Sequence, residues 1–269
     1  MRTVRAPLAT LAIVTTWIAT ALALDQRVGH PGQLALGACT AVVLLALLSL
    51  HPSRIRAQTF AVVIIATCGE VIGSLIWGLY SYRLENLPAF VPPGHGLVYL
   101  AGLSLATLMR GRETALLVVA GTAAAVWGVA GMTVLPSQDE SGLLGCAFLL
   151  AVLLWTRRPV YAGVFIAVMA LELYGTAIGT WTWAPSVRGL GLSQGNPPSG
   201  VASGYVVFDV LALAVVARAA AGLGALQSMR ARRVSASTTE ELVISSRAAS
   251  TLPQTSQSRN PRALPSPST

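Results

Sequence analysis

The sequence predicts an all-α fold: a polytopic membrane helix bundle of about eight transmembrane helices, built as two parallel four-helix repeats. Three observations lead to this prediction: the apolar composition, the alternation of arginine-rich and arginine-poor loops, and an internal duplication. Of the 269 residues, 54% are hydrophobic and only 10% are charged, and the mean hydropathy is +0.66. A soluble domain usually carries about 25% charged residues. Much of this chain must therefore be solvated by lipid.

Eight apolar runs mark the candidate helices. They cover residues 6–24, 34–50, 59–82, 96–109, 114–135, 142–156, 160–183 and 201–226. A helix needs about 20 residues to cross the hydrocarbon core, so the short fourth and sixth runs either extend into flanking residues or are partly re-entrant. The first run also resembles a secretory signal peptide. Because it pairs with a later run in the duplication described below, we expect it to remain as a helix.

Basic residues are concentrated in alternate loops. All are arginine, and eleven fall in one set of segments while only three fall in the other. The first set is Arg2, Arg5, Arg54, Arg56, Arg110, Arg112, Arg157, Arg158, Arg230, Arg232 and Arg233; the second is Arg27, Arg83 and Arg188. This asymmetry predicts an even number of crossings in the cell (inner) membrane, with both termini cytoplasmic. Topology explains the net charge of +8 better than nucleic-acid binding does.

The duplication lies in the third and seventh runs. Residues 70–82 and 172–183 share the pattern Glu-x-x-Gly-(Ser/Thr)-x-Ile, then Gly-x-aromatic-x-aromatic, once one residue near Trp77 is omitted. A paired-arginine loop precedes each segment and a Pro-Pro loop follows it. We therefore predict repeats at residues 1–110 and 111–226, related by rotation about the membrane normal. Residues 227–269, rich in Ser, Thr, Arg and Pro, are predicted to form a disordered cytoplasmic tail.

Three acids fall inside apolar runs: Glu70, Glu172 and Asp209. A charged carboxyl at mid-membrane costs at least about 2.5–3.5 kcal/mol, so these side chains should face the interior, pair, or stay protonated. Matching positions in both halves favour one shared cavity with Glu70 and Glu172 as its catalytic acids. Ser74 and Thr176, one turn further on, are expected to donate hydrogen bonds to the carboxyls. The alternative is that protonated glutamates only hydrogen-bond a neighbouring helix.

Other candidate residues surround these acids. Tyr80 and Trp181, each with a second aromatic two residues on, belong either to the interfacial aromatic belt or to a lid over a lipid-like ligand. His95 follows a Pro-Pro loop and is either a turn residue, a general acid/base, or a metal ligand. Since no metal or nucleotide motif is recognisable, we expect no cofactor. The expected partners are the lipid bilayer and an apolar lipid or small molecule, and no nucleic acid.

The segment Glu70–Pro92, with its Glu-x-x-Gly, Gly78-x-Tyr80-x-Tyr82 and Pro-containing loop, resembles the signature helix of the carotenoid hydratase membrane family. It departs from that family at Ile76-Trp77, where Pro-Phe is expected, and at Gly94-His95-Gly96. The resemblance implies a site where an acid protonates an isoprenoid double bond. Three hypotheses follow: an enzyme acting on an apolar lipid by proton transfer, a proton-coupled transporter, and a non-catalytic scaffold.

Overall fold

The computed structural model describes residues 2–134 and 138–250. Within these residues the chain forms eight α-helices, one π-helical segment and two short strands. They are α1 Arg2–Asp25, α2 His30–Ser49, α3 Ser53–Glu70, the π-helical segment Val71–Trp77, β1 Tyr80–Tyr82, α4 Val91–Leu108, α5 Glu113–Thr133, α6 Glu140–Thr156, α7 Pro159–Ala177, β2 Trp181–Trp183 and α8 Ala202–Ser250. The predicted class, a nearly all-α chain, is confirmed.

Six of the described helices are long and apolar enough to cross a membrane: α1, α2, α3 with its π-helical extension, α5, α7 and residues Ala202–Met229 of α8. Helices α4 and α6, with 18 and 17 residues, come from the two runs that were noted as short. Large apolar side chains also point outward along these helices; Leu34 is 66% exposed and Val126 is 63% exposed. Such a surface is suited to hydrocarbon rather than to water.

Helix α4 lies at the centre of the bundle and packs against α1, α2, α3 and α7. Its closest approach is to α7, where a Cβ built on Gly163 would lie 2.3 Å from the Gly102 carbonyl oxygen. Small residues permit this kind of backbone contact between membrane helices. Helices α5 and α6 pack on each other, and α5 also packs on α7.

A buried acid joins the first interhelical loop to the loop that contains β1. Asp25 is fully buried and accepts a hydrogen bond from Gln33 Nε2 at 2.7 Å. The Arg83 guanidinium lies 3.4 Å from the Asp25 carboxylate and also donates to the backbone carbonyls of Asp25 and Val28. Arg83 is therefore neutralised and held by several bonds.

Asp139 also joins separate segments of the chain. It caps α6 by accepting from the Gly142 amide at 3.0 Å, and it also accepts from the Gly195 and Ser199 amides at 2.8 and 2.6 Å. Asp25 is the last residue of α1 and Asp139 immediately precedes α6; acidic residues are ordinary at such positions, and the sequence analysis did not single them out.

The chain divides into two compact units, Met1–Ala217 and Arg218–Thr269, and the site described below lies in the first. Helix α8 extends to Ser250, and a disordered cytoplasmic tail was predicted for residues 227–269. Residues 251–269, the remainder of the predicted tail, lie outside the described residues.

Candidate functional site

The third helix changes geometry at the candidate site. Helix α3 ends at Glu70 and continues as the π-helical segment, which terminates at Gly78 in the left-handed conformation with φ 72°. Glycine adopts this conformation without a steric penalty. The Leu79 amide then donates to the Gly73 carbonyl at 2.8 Å, and β1 folds back towards Glu70. The apolar run predicted to continue as helix to residue 82 therefore ends earlier.

The seventh helix ends in nearly the same way. Helix α7 ends at Ala177, Gly179 is left-handed with φ 79°, and the Thr180 amide donates to the Gly175 carbonyl at 2.9 Å. The segment from glutamate to left-handed glycine is one residue longer in the first case. A π-helical turn accommodates one extra residue in a helix, which explains the single-residue gap near Trp77 in the aligned motifs.

The two segments meet as a short antiparallel pair of strands. Strands β1 and β2 align Tyr80 with Trp183, Ser81 with Thr182, and Tyr82 with Trp181. Because side chains alternate along a strand, the four aromatic rings share one face of the pair, while Ser81 and Thr182 are exposed. The Tyr80 and Trp183 ring centroids are 4.5 Å apart.

Glu70 is 5% exposed and has three hydrogen-bond partners. Its Oε2 accepts from the Tyr80 and Tyr82 hydroxyls at 2.6 and 2.7 Å. Its Oε1 lies 2.9 Å from His95 Nε2, a nitrogen presented by α4. Burial raises the pKa of the Tyr80 and Tyr82 phenols, and the neighbouring Glu70 adds to the effect. Both tyrosines are therefore protonated donors at neutral pH.

Glu172 is 3% exposed and has a parallel set of partners. Its Oε2 accepts from the indole nitrogens of Trp181 and Trp183 at 2.9 and 3.2 Å. Its Oε1 accepts from the Tyr205 hydroxyl of α8 at 3.4 Å. For each glutamate, the strand after the helix supplies two donors to one oxygen, and the helix that contains or follows the Pro-Pro pair supplies the third partner.

The glycine of the Glu-x-x-Gly motif makes room for one of these rings. A Cβ on Gly73 would lie 3.2 Å from the Tyr80 ring, and a Cβ on Gly175 would lie 2.1 Å from the Trp181 ring. The glycine thus allows the first aromatic of each strand to reach the carboxyl one turn below it.

Both glutamates line one cavity of about 200 Å³. Most of its wall is apolar or aromatic, including Trp17, Ile18, Leu22, Phe90, Val98, Leu171 and Phe208. The His95 and Tyr205 rings, one from each donor set, lie with centroids 4.9 Å apart. The structure therefore brings Glu70, Glu172, His95, Tyr80 and Trp181 together, as polar groups in an otherwise hydrophobic chamber.

Two expected roles are wrong. The Ser74 and Thr176 hydroxyls donate to the backbone carbonyls of Glu70 and Glu172, at 2.7 and 2.6 Å, and not to the carboxyls. A hydroxyl in a helix lies close to the carbonyl four residues earlier, and this local bond prevails here.

Asp209 does not line the cavity. It is 2% exposed, and its Oδ2 has no hydrogen-bond partner in the part of the chain that the structure describes. Tyr205 was not predicted as a site residue. The available signal was its position one helical turn before Asp209 on an apolar helix, which places two polar groups on the same face.

These features define a class: a helical membrane protein with a largely apolar cavity that contains two hydrogen-bonded glutamates. Among the described residues, no group of three or more His, Cys, Asp or Glu side chains is arranged to hold a metal ion. No protein-family model, curated protein or solved structure matches the chain.

Proposed function

We propose that this protein is a membrane enzyme that protonates a carbon–carbon double bond of an apolar, isoprenoid-like lipid. The observation that carries the proposal is the Glu70–His95 pair, joined by two tyrosine hydroxyls, facing a cavity whose wall is otherwise mostly apolar and aromatic. A general acid needs a positioned proton within reach of the substrate. An apolar chamber selects a substrate without charge.

The two glutamates differ in the chemistry of their partners. Glu70 is bonded to an imidazole, which readily gains and loses a proton. Glu172 accepts hydrogen bonds from two indoles and from the Tyr205 hydroxyl, and it has no imidazole among these partners. Glu70 with His95 is therefore the proton donor, and Glu172 is a fixed acceptor-rich group that stabilises positive charge.

The reaction begins when a proton leaves the Glu70–His95 pair for one carbon of the double bond. The π electrons form the new C–H bond, and the other carbon becomes a tertiary carbocation. The faces of Tyr80 and Trp183 and the carboxyl oxygens of Glu172 stabilise that cation. Water then adds to the cation and returns a proton to the pair, so the net reaction is hydration to a tertiary alcohol. The resemblance of Glu70–Pro92 to carotenoid hydratases supports this chemistry.

The packing beneath the cavity argues against a proton-coupled transporter. A transporter site must open alternately to both sides. Here α4 and α7 meet closely at Gly102 and Gly163, about two turns deeper than the glutamates, and Phe165 beside them is fully buried. This backbone contact leaves no passage between α4 and α7, which favours a fixed chamber over a transport pathway. A scaffold, in turn, needs no cavity between its buried acids.

The proposal includes a topology of eight crossings in two parallel repeats, with both termini in the cytoplasm and the cavity near the outer face of the inner membrane. The arginine asymmetry supports this orientation. Arg83, one of three arginines on the proposed outer side, is neutralised by Asp25. The matched helix ends, strands and carboxyl partners support the repeat.

Deuterium incorporation tests the chemistry. The full chain in lipid nanodiscs is incubated in D₂O with lycopene or geranylgeraniol, and mass spectrometry detects new C–D bonds. The wild type should incorporate deuterium, and Glu70→Gln should lower the rate by about 10²–10⁴-fold, the usual contribution of a general acid. Glu113→Gln, at the partly exposed start of α5 and outside the cavity, is the matched control and should retain the wild-type rate. Absence of incorporation by folded wild type, or full activity of Glu70→Gln, would contradict the proposal.

A further inference from the structure

A second apolar cavity lies between helices α1 and α7. Both helices pack against α4 but touch each other only sparsely, and the space left between them measures about 320 Å³. Its wall comes from α1, α4 and α7, and Thr15 and Tyr174 are its only polar residues. We call this space the α1–α7 cleft.

The cleft adjoins the glutamate cavity. Ile18 of α1, Val98 of α4 and Leu171 of α7 line both spaces. Leu171 directly precedes Glu172, so a chain passing these three side chains would arrive beside the carboxyl. The two spaces are separated by these side chains and not by backbone. Ile18 and Leu171 are only partly buried.

Among the described residues, one long hydrogen bond joins α1 and α7 at the outer end of the cleft. The Tyr174 hydroxyl donates to the Ala19 carbonyl at 3.3 Å, and Tyr174 is partly exposed. Along α1, Leu8 and Ile13 are exposed at 55% and 47%. The mouth of the cleft is therefore surrounded by surface that is suited to hydrocarbon.

We infer that the α1–α7 cleft is a lateral portal, through which an extended isoprenoid chain enters from the bilayer and in which its tail remains during reaction. The inference rests on the proposed function. The occupant is an uncharged hydrocarbon chain, because the cleft is apolar, its mouth lies among apolar helix surfaces, and its inner end is continuous with the site. Tyr174 and Ala19 act as a latch that must separate for passage.

Photo-crosslinking tests the portal. The probe is geranylgeraniol carrying a diazirine at the end remote from the hydroxyl, and it is added to the full chain in nanodiscs. Mass spectrometry should locate adducts on the cleft side of α1 and α7, around Leu11 and Ile166. Ala170→Trp, which fills the cleft, should abolish these adducts. Ala125→Trp, on the exposed side of α5, is the matched control and should be labelled like the wild type.

Two further variants keep the test decisive. If Ala170→Trp does not fold, Tyr174→Phe removes the latch bond and should raise the initial rate of labelling. Glu70→Gln should label normally, because the portal does not use the carboxyl. Adducts that avoid the cleft, or that persist unchanged in folded Ala170→Trp, overturn the portal and leave the proposed chemistry intact. Normal deuterium incorporation by Glu70→Gln overturns the chemistry, while the adduct positions still decide the portal.

Discussion

At the scale of single residues, the site depends on how a buried carboxyl is compensated. Each glutamate has three hydrogen-bond partners, and an unpaired charged group in this environment would cost several kcal/mol. One donor of each set, Tyr80 or Trp181, occupies space that a side chain on the glycine three residues later would take. The Glu-x-x-Gly motif therefore supplies both the acid and, at the glycine, the room for one of its hydrogen-bond donors.

This dependence predicts unequal effects of the same substitution in the two motifs. Gly175→Ala places a methyl group 2.1 Å from the large Trp181 ring, whereas Gly73→Ala meets Tyr80 at 3.2 Å. We expect Gly175→Ala to lower the free energy of unfolding by about 1–3 kcal/mol, as overpacking does, and Gly73→Ala to cost less. Thermal unfolding in detergent, followed by tryptophan fluorescence, measures the loss of stability. Gly121→Ala, whose Cβ meets its nearest neighbour at 3.5 Å, is the control. Equal losses at both sites would contradict the argument.

At the scale of elements, the ends of α3 and α7 were the least predictable feature. Periodicity indicated helices, and the two acids do lie in helices α3 and α7, because these signals are local. The same apolar runs continue through Tyr82 and Trp183, so nothing local indicated that the chain turns at Gly78 and Gly179. The turn is stabilised by pairing between β1 and β2, which lie about a hundred residues apart. His95 and Tyr205 were hard to assign for the same reason: their partners are on other helices.

The π-helical segment predicts which residue can be deleted. Removing Ile76, which is 69% exposed, should convert the π-helical turn to an α-helical one and make the first motif match the second, so that β1 still pairs with β2. Removing Ile64, which is 65% exposed in the regular part of α3, should rotate Glu70 by about 100° away from the cavity. The yield and unfolding temperature of the purified protein should remain close to wild type only for the first deletion. If both deletions behave alike, the extra residue is not specific to the π turn.

At the scale of the whole molecule, the strand pair is the point where the proposed repeats meet. Its central residues, Ser81 and Thr182, come from equivalent places in the two motifs and lie opposite each other. An antiparallel pair has a local two-fold axis perpendicular to its strands, which is compatible with a rotation axis along the membrane normal. In the proposed topology the aromatic face then covers the cavity, and the face bearing Ser81 and Thr182 is exposed to water on the outer side of the membrane.

This arrangement gives the last prediction, which concerns orientation. In a background with Cys39, Cys68 and Cys146 replaced by alanine, Ser81→Cys and Thr182→Cys should each react with a membrane-impermeant maleimide added to intact spheroplasts, because both positions are exposed and lie on the proposed outer side. Ser53→Cys is the matched control: it is also exposed, but it precedes Arg54 and Arg56 in a loop assigned to the cytoplasm. It should react only in inside-out vesicles. The physical reason is that arginine-rich short loops are retained on the cytoplasmic side during insertion. Labelling of Ser53→Cys in spheroplasts would show that the proposed orientation is inverted. Labelling of Ser81→Cys and Thr182→Cys from opposite sides of the membrane would show that the two strands do not pair.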